Sequence, residues 1–139
     1  LHERFRALLE GYGGVVGRIR DDITVDTPVV VRPLEAFSMP EPWFSGRTIL
    51  LGDAVHPTTP HLASGAGMAV EDAVVLGQSL ASTGSVQDAF SSFMTRRLPR
   101  CRTVVENSLR IGRLEQSKAS TLEQTQLVAE SLDVLARPI

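Results

Sequence analysis

A short apolar run that ends in a glycine and an acid places the strongest constraint on how this 139-residue chain folds. Residues 48–51 (TILL) are β-rich and apolar, which predicts a strand covered on both faces, as in a parallel sheet. Gly52 and Asp53 follow at once, and ligands of open α/β sheets bind beyond the carboxyl ends of the strands. The sequence therefore predicts that the Asp53 carboxylate accepts a hydrogen bond from a ligand hydroxyl.

The segment after Asp53 is stiffened by prolines and then continues in small residues. Pro57 and Pro60 fix φ, whereas residues 64–67 (SGAG) let a ligand approach the backbone closely. A helix is predicted over residues 64–81, and its apolar character almost all round suits an element packed under a sheet. The free N–H groups and the positive dipole end of this helix favour an electron-rich or anionic ligand atom.

Taken residue by residue, residues 52–73 (GDAVHPTTPHLASGAGMAVEDA) carry a known motif. The run resembles the second FAD-binding motif, the GD motif, of the flavin-dependent aromatic hydroxylases, the family that includes para-hydroxybenzoate hydroxylase. Common members carry a pattern like GDAAHPTTPHLGQGAGMAIEDA, so that Ala63 and Ser64 replace the usual Gly and Gln. A weaker similarity covers residues 31–37 (VRPLEAF), like the last substrate-domain strand, and residues 93–104 (FMTRRLPRCRTV), like the following basic helix.

The resemblance implies a set of cofactor contacts. Asp53 would hydrogen-bond a ribityl hydroxyl of FAD, and the loop at Pro60 would lie beside the flavin ring. The amides at the start of the helix would face the pyrimidine edge of the flavin. Pro60 and His61 are the candidate catalytic residues, since the His61 ring could reach the flavin or the substrate. The predicted FAD-binding residues are Gly52, Asp53, Pro60, Ser64, Gly65, Ala66, Gly67 and Met68.

The resemblance also implies an activity. NADH or NADPH would reduce FAD, and the reduced flavin would use dioxygen to transfer one oxygen atom to a small aromatic or heteroaromatic substrate. The predicted function is thus part of an FAD-dependent monooxygenase, with NADH or NADPH as a transient co-substrate. Two alternatives stay open: an FAD-dependent reductase, dehydrogenase or halogenase of the same fold, and a non-enzymatic helical interaction module that retains the motif.

Two features of the family pattern are absent from the sequence. A complete hydroxylase would also carry a GxGxxG turn and a later Asp-Gly motif, and this chain has neither. Residues 11–17 (GYGGVVG) place Val16 where the third glycine should stand, and are interpreted as a helix stop with no helix after it. The chain also opens on Leu1 directly in a helical pattern. We therefore expect the C-terminal piece of a larger flavoprotein, inactive alone, whose partner is the missing N-terminal part.

The predicted fold class is α/β, a partial FAD/NAD(P)-binding, Rossmann-like fold with a helical C-terminus. Residues 1–45 would end the substrate-binding domain, with a helix over residues 1–10 and a strand over residues 23–31. Residues 46–116 would form the C-terminal part of the FAD-binding domain, and residues 117–139 a C-terminal helix, strongest over 121–136. An amphipathic helix is predicted from Val86, with Pro99 expected to kink or restart it.

Charge and composition exclude other classes of partner. A net charge of −2 with mixed signs gives no field for nucleic acid or an anionic membrane. No apolar run reaches transmembrane length and no signal peptide is visible, so the cytoplasm is the expected compartment. Uncovered apolar faces would favour self-association or a homodimer.

Several polar residues receive structural interpretations. His56 and His61 have poor spacing for shared ligation and no third ligand, so no metal is predicted, and His56 is expected to fix the loop by a hydrogen bond. Cys101 is the single cysteine, which excludes an internal disulfide. Glu71 and Asp72 are expected to favour the helix dipole or pair with an arginine. The basic cluster is expected to form a solvated face or salt bridges between elements, and comprises Arg96, Arg97, Arg100 and Arg102.

Overall fold

The computed structural model describes residues 1–117 and 121–139, which divide into two compact units. Leu1–Pro33 form the first unit and Leu34–Ile139 the second. The first contains helices α1 (His2–Leu8) and α2 (Gly14–Asp22). The second contains strands β1 (Phe44–Ser45) and β2 (Thr48–Ile49), 3₁₀ turns at Gly52–Ala54 and Pro60–Leu62, and helices α3 (Gly65–Ser82), α4 (Val86–Gln116) and α5 (Thr121–Ala136).

The first unit differs from its prediction in two places. Helix α1 is present, but α2 begins inside the glycine cluster that was interpreted as a stop, with Gly13 at its N-cap. The helical hydrogen bonds begin inside the cluster, where the Gly17 amide donates to the carbonyl of Gly13 at 3.3 Å, and Ile23 is buried at the C-cap. The predicted strand over residues 23–31 is wrong, because Thr27 closes a turn onto the carbonyl of Thr24 at 3.1 Å.

The second unit contains one small sheet. Strands β1 and β2 pair antiparallel, with Phe44 opposite Ile49 and Ser45 opposite Thr48. The predicted strand over residues 48–51 is therefore shorter than expected, and the described residues hold no parallel pairing. Residues 31–37 form no strand either. The described part of the chain is mostly helical, and the Rossmann-like arrangement stays a prediction.

Helix α4 packs against both α3 and α5. Helix α3 matches its prediction within a residue at each end, and it buries one face at four positions: Met68, Asp72, Val75 and Ser79. Its opposite side is more open than predicted, since Val70 is 65% exposed. Helix α5 has the predicted bounds, although the predicted C-terminal segment also includes residues 118–120, which lie outside the described part of the chain.

Helix α4 runs through Pro99 without a break, so the predicted restart is wrong. Its N-terminus is capped by Ser85, whose hydroxyl accepts the amide of Asp88 at 3.1 Å. Proline removes only one backbone hydrogen bond, and the buried positions on both sides of it keep the helix packed. Those positions include Leu98, Cys101, Val104 and Val105.

The core of the second unit lies beneath the turn that follows β2. Trp43 is 1% exposed, donates from Nε1 to the carbonyl of Met39 at 3.0 Å, and contacts the rings of His56 and Phe93. An extended segment completes this side, where Met39 N donates to the carbonyl of Val55 at 2.8 Å. Within the described residues, no helix combines the length and the apolar character needed to cross a bilayer.

Candidate functional site

The turn after β2 is built around Gly52. Its φ is +57°, and a Cβ at this position would lie 3.1 Å from the Cβ of Ala69, so both conformation and space require glycine. The Gly52 amide donates to Oδ2 of Asp72 at 2.9 Å, which ties the turn to α3. This geometry places Asp53 at the surface with its neighbours held in place.

A cavity of about 450 Å³ opens beside this turn. Six of the eight predicted cofactor-binding residues line it, namely Gly52, Asp53, Pro60, Ser64, Gly65 and Ala66. Gly67 and Met68 are not in the lining, and Met68 is buried in the core. The lining also includes residues that were not predicted: Leu51, Thr58, Thr59, Ala63 and Ala69. The two threonines belong to the predicted loop, and Ala69 lies one turn beyond Gly65 on α3, so helical spacing could have indicated it.

Some polar groups of this cavity are available to a ligand. Asp53 is exposed and makes no hydrogen bond or ion pair with any residue that the structure describes. Ser64 stands at the N-cap of α3, but its hydroxyl donates to the carbonyl of Leu62 at 2.6 Å and caps nothing. The first intrahelical bond runs from Met68 N to Ser64 O, which leaves the amides of residues 65–67 without helical partners. A carboxylate and a set of free amides therefore occupy the same cavity, which fits a ligand with both hydroxyl and electron-rich groups.

Ala63 shapes the entry to α3. Its φ is +49°, the one positive value outside glycine among the described residues. In the resembling family this position is usually glycine, which adopts such a φ without a steric penalty. The replacement noted in the sequence thus keeps the left-handed turn and adds a methyl group to the cavity wall.

His61 points away from the cavity. Its Nδ1 lies 2.7 Å from Oγ1 of Thr59 and its Nε2 lies 3.2 Å from Oε2 of Glu115 on α4. It is not among the lining residues, whereas its neighbour Pro60 is. The catalytic assignment of Pro60 and His61 stays a prediction, and the geometry places only Pro60 at the cavity.

A buried ion-pair network lies directly behind the turn. Oδ2 of Asp72 accepts hydrogen bonds from the Gly52 amide at 2.9 Å and from Nε2 of His56 at 2.7 Å. Oδ1 accepts a hydrogen bond from Nε of Arg97 at 2.7 Å. All three side chains are at most 1% exposed. The predicted pairing of Asp72 with an arginine and the loop-fixing bond of His56 are both confirmed.

The electrostatics of the network follow from this burial. Burial alone would lower the pKa of His56, but its hydrogen bond to Asp72 and its attraction to Asp72 and Cys101 raise that pKa to about 10. Burial opposes the charge of Asp72 as well, yet the hydrogen bonds from His56, Gly52 and Arg97 hold its pKa below the usual value. The hydrogen bond to Asp72 therefore favours the protonated form of His56.

The same network resembles a ligand set for a metal only in its distances. His56, Asp72 and Cys101 each bring one potential ligand atom within 4.8 Å of the others. The Asp72 oxygens already accept three hydrogen bonds, one of them from the Arg97 guanidinium, and a positive side chain opposes a cation at the same carboxylate. The geometry favours an ion-pair network over a metal site.

The network continues to the C-terminal helix. Glu71 accepts Nη1 of Arg97 at 2.7 Å and Nη2 of Arg100 at 2.6 Å. Arg100 also donates to backbone carbonyls at the end of α5, including that of Leu135 at 2.7 Å. The prediction of salt bridges between elements is confirmed for Arg97 and Arg100, while Arg96 bonds Gln78 on the surface.

Comparison with known proteins identifies the class to which this fold and cavity belong. The family model described as "FAD binding domain" matches residues 29–108, more than half of the chain, including the whole cavity. The chain therefore belongs to the FAD binding domain family.

Individual relatives extend the similarity. The chain is 36% identical over 111 residues to YetM of Bacillus subtilis (strain 168), which carries the name of an FAD-dependent monooxygenase; the match covers 80% of this chain and 30% of that protein. It is 42% identical over 74 residues to the aurachin C monooxygenase/isomerase of Stigmatella aurantiaca, covering 53% of this chain and 19% of that protein. It is 45% identical over 73 residues to 3-hydroxybenzoate 6-hydroxylase 2 of Aquipseudomonas alcaligenes, covering 52% and 23%. The chain thus spans at most 30% of the length of these relatives.

Proposed function

We propose that this chain supplies part of the FAD site of a monooxygenase that transfers one oxygen atom from dioxygen to an aromatic or heteroaromatic substrate. The observation that carries the proposal is the cavity in which the unpaired Asp53 carboxylate and the free amides of α3 lie together. Relatives named 3-hydroxybenzoate 6-hydroxylase 2 and 3-amino-4-hydroxybenzoate 2-monooxygenase match 52% and 53% of this chain. NADH or NADPH would be the source of electrons, and the remaining part of the protein would be the partner of this chain.

Each group in the cavity has a distinct part in this function. FAD, when bound, supplies the redox chemistry and the activation of dioxygen. Asp53 would accept a hydrogen bond from a ribityl hydroxyl, which fixes the cofactor along the turn. The amides of Gly65, Ala66 and Gly67 would stabilise negative charge at the pyrimidine edge, because fixed donors cost no reorganisation when the charge develops. Pro60 would form the wall beside the ring and exclude water.

The buried network behind the turn would act on FAD only through Gly52 and Asp53. Asp72 holds the Gly52 amide, so that the turn keeps the orientation in which Asp53 is directed to the cavity. An orientation fixed in advance reduces the entropy lost on binding. We propose Asp72 as a positioning residue and Asp53 as the direct ligand.

The test is an FAD titration of the complete protein that carries this chain, followed by flavin absorbance. Asp53→Asn keeps an acceptor of similar shape but removes its charge, and Asp53→Ala removes the acceptor entirely. We expect FAD affinity to fall by roughly tenfold or more with Asp53→Ala, because a charge-assisted hydrogen bond is lost. Asp133→Ala, an exposed acid of α5, is the matched control and should bind FAD normally.

A second measurement separates the oxygenase from its alternatives. With NADH or NADPH and a panel of phenols and heteroaromatic acids, a monooxygenase incorporates one atom of labelled dioxygen into the product. A reductase or dehydrogenase would oxidise the pyridine nucleotide without incorporation, and a halogenase would require halide. Absence of FAD binding by the complete protein would contradict the proposal and leave a helical interaction module, whose self-association can be measured by sedimentation.

A further inference from the structure

The loop that walls the cavity is joined to α4 by a small group of buried polar contacts. Oγ1 of Thr59 lies 2.8 Å from Oγ of Ser108, and Oγ of Ser108 donates to the carbonyl of Thr59 at 2.9 Å. Thr59 and Ser108 are 5% and 0% exposed. His61 completes the group through Thr59 and Glu115, and we name these four residues the His61 cluster.

Counting hydrogens in this cluster assigns the proton on Nδ1 of His61. A hydroxyl carries one hydrogen, and that of Ser108 is used by the Thr59 carbonyl, which can only accept. The 2.8 Å contact between the two hydroxyls therefore requires Thr59 to donate to Ser108. Since the Thr59 hydrogen is then used, the 2.7 Å contact between Thr59 Oγ1 and His61 Nδ1 requires the imidazole to donate.

The other ring nitrogen lies close to a carboxylate of α4. Nε2 of His61 is 3.2 Å from Oε2 of Glu115, so the ring also approaches α4 through this nitrogen. Within the described residues, Glu115 is the charged group in contact with this ring.

We propose that His61 is a positioning residue that fixes the Thr59–Pro60 wall of the cavity on α4. The assignment of a proton to Nδ1 rests on the hydrogen-bond count alone, and the consequence for FAD rests on the proposed function. Thr59 and Pro60 line the cavity, while His61 lies behind them with its side chain 14% exposed. A ring that is hydrogen-bonded to Thr59 and packed against Gly112 of α4 restrains the loop from the side opposite to the ligand.

Gly112 of α4 leaves the space that this arrangement needs. A Cβ at Gly112 would lie 2.8 Å from Cε1 and 3.1 Å from Nε2 of His61, closer than side chains pack. Glycine inside a helix costs about 0.5–1 kcal/mol relative to alanine, so Gly112 lowers helix stability where the imidazole packs. Gly112→Ala consequently displaces the ring without removing any polar group of the cluster.

The first test reads the proton directly. In the complete protein with ¹⁵N-labelled histidine, long-range ¹H–¹⁵N correlation should show a proton on Nδ1 of His61, with the signal assigned by its loss in His61→Asn. A wild-type His61 whose Nδ1 carries no proton would overturn the assignment.

The second test measures whether the position of the cavity wall affects FAD binding. Gly112→Ala should weaken FAD binding by about tenfold, the equivalent of one or two hydrogen bonds, while the midpoint of thermal unfolding stays within the range of the control. Gly77→Ala is the control, since a Cβ at Gly77 meets nothing within 4 Å. This variant gains the same helix propensity as Gly112→Ala. Equal FAD affinity in the two variants would overturn the positioning role.

The two inferences fail in different ways. If the wild-type protein binds no FAD, the proposed function fails and the positioning role fails with it, while the nitrogen spectrum still decides the protonation of His61. If FAD binds and is lost on Asp53→Ala but not weakened by Gly112→Ala, the FAD site stands and the His61 cluster is not part of its positioning.

Discussion

At the scale of single residues, the carboxylate of Asp72 holds the turn that bounds the cavity without lining it. Its two oxygens accept three hydrogen bonds from Gly52, His56 and Arg97, and all of this lies out of contact with water. A buried charge keeps its ionised form only when such partners replace the water it has lost. The residue that would touch FAD, Asp53, is thus oriented by one that would not.

Asp72→Ala should be strongly destabilising. Removing one partner of a buried pair leaves the other charges uncompensated, and the expected loss in free energy of unfolding is about 3–5 kcal/mol. Asp133→Ala, in which an acid with 66% side-chain exposure is removed, should cost less than about 1 kcal/mol. Urea unfolding of the complete protein measures both, and a similar cost for the two variants would contradict the role of Asp72.

The raised pKa of His56 predicts a particular dependence of stability on pH. Folding raises this pKa from 6.5 to about 10, so the stabilisation from protonated His56 is complete below pH 6.5 and is lost as pH rises through 10. The difference in unfolding free energy between wild type and His56→Gln should therefore narrow from pH 6.5 to pH 10. His2→Gln, at the surface contact with Thr27, is the control. A difference that stays constant across this range would show that His56 is neutral in the folded protein.

At the scale of elements, the sequence predicted several features that depend on local pattern and missed some that depend on packing. The bounds of α3 and α5 follow from periodicity, and the cavity follows because its residues are nearly contiguous in the chain. The pairing of His61 with Glu115 depends on how the loop meets α4, which no local pattern encodes. Pro99 was expected to kink or restart α4 because propensity alone disfavours it, and the helix continues because tertiary packing on both sides outweighs that preference.

The left-handed residue before α3 gives a prediction at this scale. A non-glycine residue in this conformation costs about 1–2 kcal/mol, which Ala63→Gly would recover, while the greater freedom of glycine in the unfolded chain would cost about 0.4–1 kcal/mol. We expect a net stabilisation of up to about 1.6 kcal/mol. Ala81→Gly, near the end of α3, should instead cost about 1 kcal/mol. Equal destabilisation of the two variants by thermal unfolding would contradict the strain at Ala63.

At the scale of the second unit, a continuous set of hydrogen bonds joins the cavity to the C-terminal helix. It runs from Gly52 through Asp72 and Arg97 to Glu71, and from Glu71 through Arg100 to the last carbonyls of α5. Apolar packing adds to it at Leu127, and Asn107 donates to Ser131 at 2.9 Å. The basic cluster of the sequence is thus divided by function, since Arg97 serves the cavity turn and Arg100 holds α5.

Arg100→Met separates these two functions. Methionine keeps the apolar stem but removes the donors to Glu71 and to the α5 carbonyls, so amide hydrogen exchange at the end of α5 should quicken by about tenfold. FAD affinity of the complete protein should change by less than about twofold, because Asp72 keeps its bonds to Gly52 and Arg97. Arg96→Met, which removes a surface bond to Gln78, should alter neither quantity. A large loss of FAD affinity in Arg100→Met would instead show that the docking of α5 and the cavity turn are energetically coupled through Glu71, and that the helical C-terminus belongs to the cofactor site.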